Sequence, residues 1–400
     1  MKIGMEERHI LALGLILFTA SIVAMICRRL RLPYSIGLVG AGIALALSPV
    51  QLNLPLSREL IFDVFLPPLV FEAALQLPWR QFRRELPVTL LLAFPGVIIA
   101  AATVACGAHW LFGWSWMGAA MFGALIAATD PVSVIAAFKE LKAPPRLSLV
   151  VEAESLLNDG TAAVGFAILV ALASGTSATP LHVGGLLLWT VIGGVAIGAA
   201  VTGGLLLIAG RTDDHLVEIT LTTIAAYGSF LLADRLGMSG VLASLTAGLM
   251  VGRLGWRGAL SDEGRDHVTS FWTYVAFLAN SIVFILIGGN EAHLPLRQLA
   301  GPALIATLLV LVGRALAVYP LSGLFSRTKL RLSLGYQHVL FWGGLRGALA
   351  LALALAIPAS VPERSEIVVI AFAVVAFSIF VQGLTMPWLI RRLRLDTTEG

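Results

Sequence analysis

Glu152-Ala153-Glu154-Ser155-Leu156-Leu157-Asn158-Asp159-Gly160 places acidic, hydroxyl and amide side chains in the middle of an otherwise apolar stretch. A lipid-facing helix would not tolerate it. An ionised carboxylate at mid-bilayer costs at least about 2.5–3.5 kcal/mol on insertion scales, so such residues face a bundle interior and mark ion or proton pathways. A second interruption, Thr129-Asp130-Pro131, stands earlier in another apolar stretch. That both stretches are membrane spans follows from composition. Hydrophobic residues make up 58% of the 400 and charged residues 12%, more apolar surface than a soluble chain of this length could bury. The 40 glycines suit transmembrane helices, whose backbones approach closely where side chains are small. The net charge of +4 comes from short basic clusters between apolar runs. These read as loops on one side of a membrane, and nucleic acid is not expected as a partner. With only Cys27 and Cys106, placed toward opposite faces, no disulfide framework is expected.

Runs of about 20 apolar residues give about 13 expected spans, centred near residues 18, 41, 67, 98, 126, 162, 195, 224, 245, 280, 311, 347 and 378. The first run, from Ile10 to Ile26, is preceded by Glu6 and Glu7 beside Arg8 and followed by Arg28, Arg29 and Arg31. A cleaved signal has the reverse charge order, so a retained span is expected. Basic loops follow the odd-numbered spans: Arg28 to Arg31, Arg80 to Arg84, Lys139 to Arg146, Arg211, Arg253 with Arg257, Arg327 to Arg331, and Arg391 to Arg394. After even-numbered spans stand isolated Arg58, Arg235, Arg297 or Arg364, or no basic residue. The asymmetry sets the N-terminus outside and the C-terminus in the cytoplasm of a cell-membrane protein. Spans 1–6 and 8–13 then enter from opposite sides as two inverted six-helix repeats, with span 7 between them. Transporters built this way bind ions where broken helices cross near mid-membrane. Span 5 corresponds to span 12, and both are interrupted, by Thr129-Asp130-Pro131 and by Gly343-Gly344-Leu345-Arg346-Gly347. The expected fold is an all-α integral membrane protein whose broken spans 5 and 12 cross.

In span 6, Glu154 and Asn158 are one turn apart, as are Ser155 and Asp159, so the four form one polar stripe. Ser155 and Asn158 alone would make an ordinary interhelical hydrogen-bond seam. Asp159 is too costly to bury for that purpose. Asp130 is expected to cap the restarting half-helix, while freed carbonyls near Ala128 and Thr129 become cation ligands. Carboxylate, hydroxyl and carbonyl oxygens of Asp159, Ser155 and Thr129 suit a hard monovalent cation such as Na+, and the sequence shows no His/Cys cluster for a transition metal. Arg314 in span 11 and Arg346 in span 12 need partners. We assign Glu154 to Arg314, and Arg346 to helix-end carbonyls or to Asp130; exchanging the two arginines is the alternative. Glu72 reads as a funnel-lining residue rather than a ligand. Asn280 reads as packing. His109, His182, His215, His267, His293 and His338 lie scattered at loop positions.

On these residues the chain resembles the NhaP-type sodium/proton antiporters, prokaryotic relatives of the animal sodium/proton exchangers. The resemblance runs over essentially the whole chain. It includes Leu66-Pro67-Pro68, Thr129-Asp130-Pro131-Val132, Glu154-Ser155-Leu156-Leu157-Asn158-Asp159, Gly240-Val241-Leu242-Ala243, Arg314 and Gly343-Gly344-Leu345-Arg346-Gly347. It implies a homodimer, with spans 1–3 and 8–10 as the dimerisation part and spans 4–6 and 11–13 as a mobile ion-binding core. It also implies that Asp159 is the principal ion ligand, aided by Ser155, Glu154, Thr129 and Asp130. The Asn158-Asp159 pair resembles electroneutral members rather than those with two adjacent aspartates.

The expected activity is therefore exchange of Na+ or Li+ for H+ in a 1:1 ratio, without cofactor and without enzymatic chemistry. K+/H+ exchange on the same scaffold is the alternative. A rhomboid-like protease is suggested only by Gly237-Met238-Ser239-Gly240, where Ser239 reads more simply as a helix cap. A passive channel would conduct without counter-transport.

Overall fold

The computed structural model describes residues 5–30, 32–48, 57–175, 179–254, 260–292 and 300–395. Among them there is no strand. Arg31, Arg257, His293 and Arg297 lie outside the described residues.

The chain begins with α1 (Met5–Leu30) and α2 (Tyr34–Ala46). A π-helical segment, Leu60–Phe65, runs into α3 (Leu66–Gln76). Pro67 and Pro68 fall in the first turn of α3, and since a missing N–H at 68 leaves the Val64 carbonyl free, Tyr227 Oη donates to it at 2.9 Å. Next come α4 (Trp79–Ala93), α5 (Pro95–Phe112), α6 (Trp116–Ala127), α7 (Val132–Leu141) and α8 (Pro145–Ala173). Ser115 caps α6 by accepting from the Gly118 N–H at 3.1 Å. Gly113, at φ 70°, ends α5 in the left-handed region that glycine enters without strain. The second half holds α9 (Pro180–Ala209), α10 (His215–Arg235), α11 (Gly240–Leu254), α12 (Asp262–Glu291) and α13 (Ala300–Gly323). Last are α14 (Leu334–Trp342), α15 (Ala348–Leu355), α16 (Arg364–Phe377), a second π-helical segment Ser378–Gly383, and α17 (Leu384–Arg392).

Among the described residues, nine helical stretches are long and apolar enough to cross a membrane. The remaining expected centres, near residues 41, 67, 245 and 347, fall on shorter pieces: α2, α3, α11, and the gap between α14 and α15. A π-segment and a proline pair open α3, and a glycine cluster separates α14 from α15.

Helices α1 to α3 pack with α10 to α12, and α9 lies against α10 and α11. Helices α4 to α8 pack with α13 to α17. Backbones meet closely in the first group. A Cβ on Gly42 of α2 would overlap the Ile285 carbonyl of α12, and one on Gly288 would overlap the Val39 carbonyl in return. Reciprocal glycine seams of this kind hold helices together where lipid supplies no hydrophobic drive between them. The two groups touch through α3 with α8, α8 with α9, α2 with α7 and α12 with α16. Large apolar side chains of α1 and α9, including Phe18, Met25, Leu181 and Trp189, remain exposed, as lipid-facing or partner-facing surfaces require.

Candidate ion-binding site

Two interrupted helical pairs meet in the middle of the second group. Between α6 and α7 the chain leaves the helix at residues 128–131, and between α14 and α15 at residues 343–347. The breaks are joined directly, with the Asp130 N–H donating to the Leu345 carbonyl at 2.7 Å. Asp130 Oδ1 accepts from the Val132 N–H at 2.9 Å and so caps α7. Gly347 lies so close to Asp130 that a Cβ there would overlap its carboxylate. Arg346 reaches across to α6, where its Nη1 donates to the carbonyls of Ala127 and Ala128 at 2.9 and 3.1 Å. A guanidinium is well placed there, because the C-terminal end of a helix carries partial negative charge and unpaired carbonyls. Ser378, in the second π-helical segment, holds the Arg346 backbone by accepting from its N–H at 3.0 Å and donating to its carbonyl at 3.1 Å.

The polar stripe of α8 faces this crossing, and its four members have different surroundings. Glu154 is fully engaged: Arg314 Nη1 donates to Oε1 at 2.7 Å and Nη2 to Oε2 at 3.0 Å. Arg314, from α13, also donates to the Leu340 carbonyl of α14, at 2.9 Å from Nη2 and 3.3 Å from Nε. Both side chains of this pair are buried, which is tolerable because the fork-shaped guanidinium satisfies both carboxylate oxygens. Ser155 donates to the Thr129 carbonyl, and its hydroxyl lies 3.0 Å from Thr129 Oγ1. Asn158 Nδ2 donates to Thr129 Oγ1 at 3.1 Å and to Glu154 Oε1 at 3.5 Å. Asp159 differs. Its Oδ1 is buried and has no hydrogen-bond partner among the described residues, and Asn158 Oδ1 is in the same position. Burying a carboxylate oxygen without a partner is costly, and such a group in a native fold calls for an explanation.

Asp159 also lines a cavity of about 360 Å³, shared with Thr129, Asp130, Glu72, Lys139 and Glu152. Its carboxylate lies within electrostatic range of Asp130, Glu154 and Arg346. At the crossing alone, apart from Glu72, Glu152 and Lys139 elsewhere on the cavity wall, counting Asp130, Glu154 and Asp159 against Arg314 and Arg346 leaves one negative charge in excess. The oxygens at hand are the kind a hard cation prefers over nitrogen or sulfur.

Some sequence expectations land elsewhere in the cavity. Glu72 lies in its wall, accepts from Gln76 Nε2, and through Gln76 is tied to Thr273 of α12. Asn280, read as a packing residue, lines the same space. Glu152 and Lys139, to which the sequence assigns no place in the site, also line the cavity. Ser239 Oγ accepts from the Leu242 N–H at 3.2 Å and starts α11. The histidines are less scattered than the sequence suggests: the rings of His215 and His267 stack at 4.4 Å. In the sequence each follows a basic loop after an odd-numbered expected span, which assigns both to one face without pairing them.

The matched family model is described as "Sodium/hydrogen exchanger, transmembrane" and covers residues 14–392. A relative from Aphanothece halophytica, named Na(+)/H(+) antiporter ApNhaP, is 39% identical over 97% of this chain and 75% of its own. One from Synechocystis sp., named low-affinity Na(+)/H(+) antiporter NhaS1, is 41% identical over the same shares. One from Pseudomonas aeruginosa, named Na(+)/H(+) antiporter NhaP, is 33% identical over 93% of this chain and 95% of its own. Among solved structures, the sodium proton antiporter MjNhaP1 from Methanocaldococcus jannaschii superposes with a TM-score of 0.78 at 22% identity, covering 98% of each chain. That match establishes likeness of fold.

Proposed function

The chain belongs to the sodium/hydrogen exchanger family, and from that premise we propose that this multi-pass membrane protein exchanges Na+ for H+ at Asp159, in a 1:1 ratio. The observation that carries the reading is the contrast within α8: Arg314 occupies both oxygens of Glu154, while Asp159 Oδ1 has no protein partner and borders the cavity. A proton on Asp159 or a Na+ held by Asp159, Ser155 and Thr129 each cancels the single excess negative charge. Both together would leave an uncompensated positive charge in a low-dielectric interior, which is penalised. Occupancy is therefore exclusive. Only the neutralised site crosses the hydrophobic interior cheaply, and this couples the two ions without ATP. Thirteen crossings in two inverted repeats, with the N-terminus outside and the C-terminus in the cytoplasm of a cell membrane, complete the reading. Helices α4 to α8 and α13 to α17 form the moving core, α1 to α3 and α10 to α12 form a homodimer scaffold, and α9 is the linker between the two repeats.

The test is dissipation of an imposed ΔpH in proteoliposomes on adding Na+, Li+ or K+ separately, with and without a clamped membrane potential. We expect a response to Na+ and Li+ that clamping leaves unchanged, and none with Asp159→Asn although the protein still purifies as a folded dimer. A response to K+ alone would transfer the mechanism to the other cation. Retained pH-dependent Na+ flux in Asp159→Asn would remove Asp159 from its role.

A further inference from the structure

Outside the transport site, at the N-terminal ends of α10 and α12, two imidazoles and a carboxylate converge. The ligand atoms of His215, Glu263 and His267 all lie within 4.8 Å of one another. The two rings stack with 24° between their planes, and Glu263 Oε1 is 3.7 Å from His267 Nε2. Glu263 and His267 are one turn apart on α12 and project side by side, while His215 comes from α10.

Two imidazole nitrogens and a carboxylate oxygen with an open fourth position are a donor set for borderline divalent metals, at bond lengths of about 2.0–2.2 Å. The donors here stand somewhat wider than that geometry needs. Glu263 and His267 are exposed, at 77% and 48% of their side-chain surface, and so are free to rotate inward. The backbone need not move, because α10 and α12 are already fastened at this end. Glu218 accepts from the Ser261 N–H at 2.7 Å and from Ser261 Oγ at 3.1 Å, and Trp272 Nε1 donates to Thr222 Oγ1 at 3.1 Å. A fold that fixes the ligand-bearing helices in advance lowers the entropic cost of binding. Imidazole nitrogen is a poor ligand for alkali cations, so the site does not duplicate the one at Asp159.

We propose that His215, Glu263 and His267 bind one divalent transition-metal ion of the Zn2+ class per chain, tying the start of α10 to the start of α12. The assignment is independent of the antiport reading.

The test uses the full chain without a polyhistidine tag, purified in detergent, stripped with EDTA and titrated with Zn2+ against a chromophoric chelator. One ion per chain is expected, with a rise in melting temperature on binding. Co2+ in its place should show visible absorption bands of a four-coordinate nitrogen/oxygen site. The double variant His215→Ala/His267→Ala should weaken Zn2+ binding by more than about tenfold, since even second-shell losses reach that scale. It should also abolish the thermal shift, while the melting temperature of the metal-free protein and its ΔpH-driven cation flux stay unchanged. Glu263→Gln, which keeps both rings, should give a smaller loss of affinity and serves as the test should the double variant fail to purify. Equal Zn2+ stoichiometry and affinity in wild type and in either variant would overturn the assignment, as would a wild-type protein that takes up no Zn2+ in competition with the chelator.

Discussion

Glu154 and Asp159 stand little more than one turn apart on α8, yet one is fully bonded and the other is not. Each makes its own prediction. Breaking a buried ion pair from one side costs about 3–5 kcal/mol because a bare charge remains. Glu154→Arg or Arg314→Glu alone should therefore abolish folding or transport, as judged by monodisperse yield and ΔpH-driven flux. Combining them should restore part of both. Full recovery is not expected, because a glutamate at position 314 cannot donate to the Leu340 carbonyl. At Ser155 the loss is gentler. Ser155→Ala removes one neutral oxygen near the cation, so the KM for Na+ should rise by about tenfold, equivalent to about 1.4 kcal/mol, with folding intact. An unchanged KM would exclude Ser155 from the ligand set. What the sequence shows at this scale is which residue types meet. It leaves open which arginine faces Glu154, because both are isolated cations on apolar helices, and only the α13–α14 packing brings Arg314 to that carboxylate.

At the scale of elements, the interruptions at 128–131 and 343–347 are readable because proline and clustered glycines cannot continue a helix. Their contact is less readable: nothing local specifies that the Asp130 N–H will find the Leu345 carbonyl. The stacking of His215 on His267 was hidden for the same reason, since spacing along the chain says little about two helix ends brought together in space. The short elements α2, α11, α14 and α15 were visible as apolar runs, but not as helices of reduced length. Gly347 tests the crossing itself. Gly347→Val would force side-chain atoms into the Asp130 carboxylate, so transport should fall by more than about tenfold, in line with the 1–3 kcal/mol typical of overpacking. A variant that transports normally would show that the close approach is dispensable. Gly42→Leu should act differently, separating α2 from α12 and lowering the melting temperature without changing Na+ selectivity.

For the whole molecule, the proposed exclusive occupancy would fix the direction of the pH response. On that proposal acidification would fill Asp159 with protons and remove it as a Na+ ligand, so the apparent KM for Na+ should rise as pH falls. By linkage, bound Na+ must expel protons to the same extent. Flux measured across a pH series should show that displacement, and a Na+ affinity independent of pH would refute it. The division of α1–α3 and α9–α12 from α4–α8 and α13–α17 is where motion would occur, along the contacts of α3 with α8 and α2 with α7. At the crossing, α7 is capped by its own Asp130, and the end of α6 is filled by Arg346. The protein's own groups thus meet the Val132 N–H and the Ala127 and Ala128 carbonyls. On the proposed mechanism, a carrier built in this way would keep its shape between loads, and its turnover would follow how fast the framework swings, with no step of reassembly after each delivery.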